Sequence, residues 1–62
     1  MIYTIDIQML QQRILVYYGD GKDHSNLLET VRIDFSTPTG FRDAMREAAD
    51  SITADLLRAG AL

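Results

Sequence analysis

The sequence predicts a small α+β domain: a three-stranded antiparallel sheet in β-β-β-α order, with one C-terminal amphipathic helix packed on one face. Three observations carry this expectation. Residues alternate with period two near the N-terminus, a second alternating run follows a dense loop, and the period changes to three and four after Pro38.

In residues 3–9, Tyr3, Ile5, Ile7 and Met9 point one way while Thr4, Asp6 and Gln8 point the other, the pattern of a half-buried strand. Residues 13–18 are apolar on both faces, with Ile14, Val16 and Tyr18 opposed to Leu15 and Tyr17. The join between the two runs, Leu10-Gln11-Gln12, lacks Gly, Asn and Pro and is a poor turn by composition. That weakness leaves a rival: Asp6 could cap a helix over residues 7–18, ended by Gly19. The stiff and aromatic run Ile14-Leu15-Val16-Tyr17-Tyr18 favours two strands over that helix.

Residues 19–26 (GDGKDHSN) are dense in turn formers and read as a loop. The third strand is expected over residues 28–35, with Val31, Ile33 and Phe35 inward and Thr30, Arg32 and Asp34 outward. Thr37 then fits a helix N-cap, and Pro38 the first helical position, where its missing N–H costs nothing. Phe41, Met45, Ala48, Ile52 and Leu56 form the inward stripe, flanked by Ala44, Ala49 and Ala59. Arg42, Asp43, Arg46, Glu47, Asp50 and Arg58 take the opposite side, with Arg46–Asp50 and Asp55–Arg58 spaced for surface pairs, and Gly60 stops the helix.

Sixty-two residues supply one core, so residues 1–62 are expected to form a single domain. At this size, apolar burial does little more than offset the entropy of ordering the chain, and small domains draw on disulfides, metals or association. There is no cysteine, and one histidine, His24, does not build a structural zinc site. Oligomerisation is the expected supplement.

Net charge is −3 and is spread without blocks, which argues against a phosphate-binding footprint. The longest apolar run is residues 14–18, far short of a membrane span. With no basic N-terminal region, and with Asp6 interrupting the first apolar stretch, a cytoplasmic location is expected.

The loop Gly-Asp-Gly-Lys-Asp-His invites a metal or phosphate reading. Counted from Asp20, however, lysine and histidine fall where calcium ligands belong, no glutamate closes the loop, and no Gly-Lys-Ser/Thr precedes a helix. His24 on a loop tip lacks a rigidly held partner for general-base work, and Asp43 and Glu47 lie on the solvated helix face. The sequence thus gives no reason to expect a cofactor, a metal or a catalytic residue.

The middle strand is the informative pattern. If Ile14, Val16 and Tyr18 pack under the helix, Leu15 and Tyr17 lie on the open sheet face among Thr4, Asp6, Gln8, Thr30, Arg32 and Asp34. An apolar strip rimmed by charge suits an interface. Leu15, Tyr17 and Arg32 are therefore the expected self-contact, and Asp20, Lys22, Asp23 and His24 a second, polar contact. The expected function is a non-enzymatic protein–protein interaction module, a homodimer that binds and modulates an unidentified protein. In size and style the chain resembles accessory proteins of phages and mobile elements and inhibitors of host enzymes. The alternative is a small nucleic-acid-binding regulator using Arg13, Arg32, Arg42 and Arg46, and a third is a small-molecule half-site completed by dimerisation.

Overall fold

A computed structural model describes residues 1–62. Three strands, β1 (Tyr3–Gln8), β2 (Arg13–Tyr18) and β3 (Leu27–Arg32), form one antiparallel sheet with β2 in the centre, and a single helix, α1 (Gly40–Arg58), follows. A short 3-10 turn, His24–Asn26, interrupts the loop before β3. The β-β-β-α order and the strand-turn-strand form of the first segment are as the sequence predicts.

The chain makes its first turn without Gly, Asn or Pro. Gln12 donates its backbone N–H to the Met9 carbonyl at 3.1 Å, and Gln12 takes the left-handed conformation at φ 55°. A non-glycine residue there is held against a steric penalty. Tertiary pairing supplies the compensation: the Gln12 carbonyl accepts the Ile33 N–H at 2.8 Å.

α1 crosses one sheet face. It begins beside the end of β3 and finishes beside β1, where the Tyr3 hydroxyl donates to Asp55 Oδ2 at 2.6 Å. The buried core comprises Ile14, Val16, Val31, Ile33, Ala44 and Ala48. The helix residues it buries are Gly40, Ala44 and Ala48, a line of small residues one turn apart. The expected stripe is thus rotated: Phe41 is 39% exposed, and Met45, Ile52 and Leu56 are only partly buried.

The cause lies at Gly40. A Cβ built there would stand 1.6 Å from the Asp34 carbonyl oxygen, so the backbone of α1 rests directly on the chain leaving β3. The helix accordingly starts at Gly40 with Thr39 as N-cap, not at Pro38 behind Thr37. Before it, Asp34 accepts the Ser36 N–H at 3.0 Å in a tight turn that ends β3 early and leaves Phe35 exposed instead of inward.

The far end is as expected. Gly60 takes φ 73°, its N–H donates to the Leu57 carbonyl, and the Ala61 N–H donates to the Leu56 carbonyl, which closes the helix. Arg58 pairs with Asp55 at 2.9 Å, whereas Arg46 and Asp50 form no ion pair. The Tyr3 hydroxyl and Arg58 hold the Asp55 carboxyl below the ordinary aspartate value, and the bond to Asp55 pushes the Tyr3 phenol up to about 12.

These features generate three expected outcomes. Gln12→Gly should raise the unfolding free energy by about 1 kcal/mol in chemical denaturation, because glycine adopts φ 55° without penalty. Gly40→Ala should lower it by about 3 kcal/mol, since backbone, not a flexible side chain, blocks the new methyl. The third concerns pH. A depressed carboxyl stabilises the fold above its unfolded value of 3.8 and loses that contribution as pH falls through its folded value. A raised phenol stabilises the fold below 10.0 and loses it as pH climbs toward about 12. The Tm of the parent should therefore exceed that of Tyr3→Phe by a constant few degrees through neutral pH, and the gap should close at both extremes.

Candidate functional site

The two sheet faces have different characters, and neither matches a simple open sheet. On the face away from α1, Leu15 and Tyr17 were expected to be exposed. They are 5% and 2% exposed, and the interface role assigned to them loses the exposure it requires. Their cross-strand neighbours flank them on both sides, and the 3-10 turn lies against β2. Leu15 sits between Asp6 of β1 and Thr30 of β3, and Tyr17 between Thr4 and Leu27.

A polar ladder lies beside these cross-strand neighbours. Arg13 Nε donates to Gln8 Oε1 at 2.6 Å, Gln8 Nε2 donates to Asp6 Oδ2 at 2.8 Å, and Lys22 reaches from the loop to Asp6 Oδ1 at 3.4 Å. Thr4 Oγ1 donates to the Gly19 carbonyl at 2.7 Å, and the 3-10 turn packs against β2. Every buried side-chain nitrogen or oxygen has a hydrogen-bond partner. Apolar residues here belong to a second, small core beneath a satisfied polar surface.

The loop residues Asp20, Lys22, Asp23 and His24 are all exposed. Lys22 is tied to Asp6, and Asp23 caps the 3-10 turn by accepting the Ser25 N–H at 3.0 Å. That hydrogen bond, backbone first, holds the Asp23 carboxyl below its ordinary value. No group of three or more His, Asp or Glu side chains is placed to hold a metal ion. Arg32 is exposed and stands directly opposite Arg13 in the β2–β3 register.

Arg13 and Arg32 are cross-strand neighbours, whereas Arg42 and Arg46 lie on the helix, and acidic residues stand beside the basic ones. Arg13 is engaged by Gln8, and Arg42 lies 3.9 Å from Asp43. Arg32 shares a shallow cleft of about 280 Å³ with Asp34, Asp43 and Glu47. That cleft has a single hydrophobic lining residue and opens along the β3 flank of the helix. It lacks the apolar walls and enclosed volume of a small-molecule site.

The cleft does fix the orientation of α1. Asp43 and Glu47 face β3, so at about 100° per residue Phe41, Met45, Ile52 and Leu56 turn to the opposite flank, toward β1. There the helix side of β1 is poorly covered: Ile5 is 40% exposed and Ile7 42%. Ile5 pairs with Val16 and Ile7 with Ile14, both fully buried, so the core runs uninterrupted into an exposed margin. Met45 and Ile52 pack on the core from above, and Phe41 stands beside them at 39% exposure. The helix side of β1, Ile5 and Ile7, is an exposed apolar surface that the sequence alone does not reveal. The alternation of β1 marks Ile5 and Ile7 as one apolar face, but the sequence does not tell which strand a helix laid across the sheet leaves uncovered.

No helix is long and apolar enough to cross a membrane. No family model matches the chain, and no curated protein or solved structure matches it significantly.

Proposed function

We propose that the protein is a non-enzymatic protein-interaction module that self-associates as a homodimer and, in that form, binds and modulates a second protein as an accessory or inhibitor. One observation carries this reading: the helix leaves the apolar side of β1 open, at the margin of an otherwise continuous core.

The shape supports it. The radius of gyration is 11.9 Å, against about 10.6 Å for a compact chain of this length. The molecule is a slab 37 × 23 × 13 Å, one helix thick over one sheet, and only 9 of 62 residues are buried. So thin a core gains more from burying a further apolar margin than a larger domain would. The polar loop of Asp20, Lys22, Asp23 and His24 lies on the other face and stays free to meet a different protein when the margin is occupied.

Light scattering on the full chain over a concentration series tests the self-association. The expected result is twice the 7.0 kDa chain mass, maintained into the low micromolar range. A mass of one chain at every concentration overturns the homodimer.

A further inference from the structure

The backbone of β1 limits how a second chain could pair with this sheet. The Gly19 N–H donates to the Ile2 carbonyl at 2.8 Å, one step beyond the Tyr3–Tyr18 pair, which marks the hydrogen-bonded positions of the β1–β2 register. Strict alternation follows. The backbone groups of Thr4, Asp6 and Gln8 turn inward to β2, and those of Tyr3, Ile5 and Ile7 turn outward at the free edge. The residues with outward backbone groups are also those whose side chains lie on the apolar, helix side.

The sheet has two edges, and they differ. β3 is interrupted by a register shift opposite Val16/Tyr17 and carries Glu29 and Arg32, and bulges and charge are what blunt an edge against pairing. β1 pairs without a shift, contains no Pro, Gly or Lys, and bears one charge, Asp6. It is the unprotected edge.

Resting on the homodimer reading above, we infer that a second copy of this chain pairs with β1 edge to edge, antiparallel, about a two-fold axis through Ile5. The register is selected by chemistry. Only odd residues can pair with odd residues, because only they present backbone groups outward. Centring on Ile5 sets Tyr3 against Ile7 of the second copy, Ile5 against Ile5 and Ile7 against Tyr3, so all three outward residues exchange both backbone bonds. Thr4 then lies opposite Asp6. Centring on Asp6 leaves Tyr3 without a strand partner and sets two aspartates face to face, a repulsive pair. Centring on Thr4 leaves Ile7 unpaired.

The product is a continuous six-stranded sheet with both helices on one side. The two-fold runs perpendicular to the sheet, so Ile5 and Ile7 of both copies meet on the helix side of the new sheet, between the two helices. The polar ladder stays on the opposite face, where Asp6 keeps its bonds to Gln8 and Lys22 and faces Thr4 of the second copy.

The test uses the absence of cysteine. Ile5→Cys and Ile7→Cys place single thiols on the same strand and face at nearly equal exposure. A thiol cross-linker reaching about 7 Å, two residues of strand, should join Ile5→Cys into a covalent dimer in high yield. It should leave Ile7→Cys uncoupled, because the two copies of residue 7 are offset by four residues, about 13 Å. Equal coupling of both, or coupling of Ile7→Cys alone, overturns the pairing. Ile5→Lys, at a position already 40% exposed in the single chain, should convert the dimer to monomer with its helical circular dichroism retained. A dimer that persists in Ile5→Lys overturns the β1 edge while leaving the homodimer standing, and a monomeric parent chain overturns both.

Discussion

The backbone of α1 can rest on the chain leaving β3 only because residue 40 has no side chain, and much of the molecule follows from that contact. With the Asp34 carbonyl oxygen 1.6 Å from where a Cβ would be, the first turn of the helix is pinned in position and in rotation. The small residues Gly40, Ala44 and Ala48 must then face the sheet, since each next turn presents the same side. Close approach of helix to sheet fills the core with the branched residues of β2 and β3. It also displaces Phe41, Met45, Ile52 and Leu56 from the centre of the contact to its β1 flank. The small-residue line and the exposed apolar margin are two sides of one geometric choice.

The opposite face resolves a different problem. A central strand apolar on both sides needs cover on both, and a single helix can provide only one. Here the second cover is assembled from cross-strand neighbours, a ladder of Arg13, Gln8, Asp6 and Lys22, and a loop that folds back against β2. Such a cover adds little hydrophobic area of its own, but it removes Leu15 and Tyr17 from water while its polar atoms stay bonded. Division of labour between the faces follows: one is closed by hydrogen bonds, the other left apolar at its margin.

The element order was legible because it rests on periodicity. Alternation in β1 and β2, the turn formers of residues 19–26 and the three-and-four spacing after Pro38 each have a direct physical cause. Boundaries and rotations were less so. Nothing local marks Gly40 as a contact point, so the sequence assigns the helix stripe by size, choosing Phe41 over Ala44. The turn at Gln12 is invisible to composition because long-range pairing with Ile33 maintains it. Leu15 and Tyr17 read as an exposed strip because nothing local to the sequence shows that the loop of residues 19–26 folds back against β2. In each case a local rule was overruled by a contact distant in sequence.

The bond between Tyr3 and Asp55 joins residues 52 positions apart, and it fastens the last turn of α1 to the outermost strand. Both are fraying-prone places taken singly, an edge and an end. Tied together, each restrains the other: the strand holds the helix end, and the helix end holds the strand. A truncation that removes the last helical turn therefore also removes the side-chain tether of the first strand, although the two lie at opposite ends of the chain.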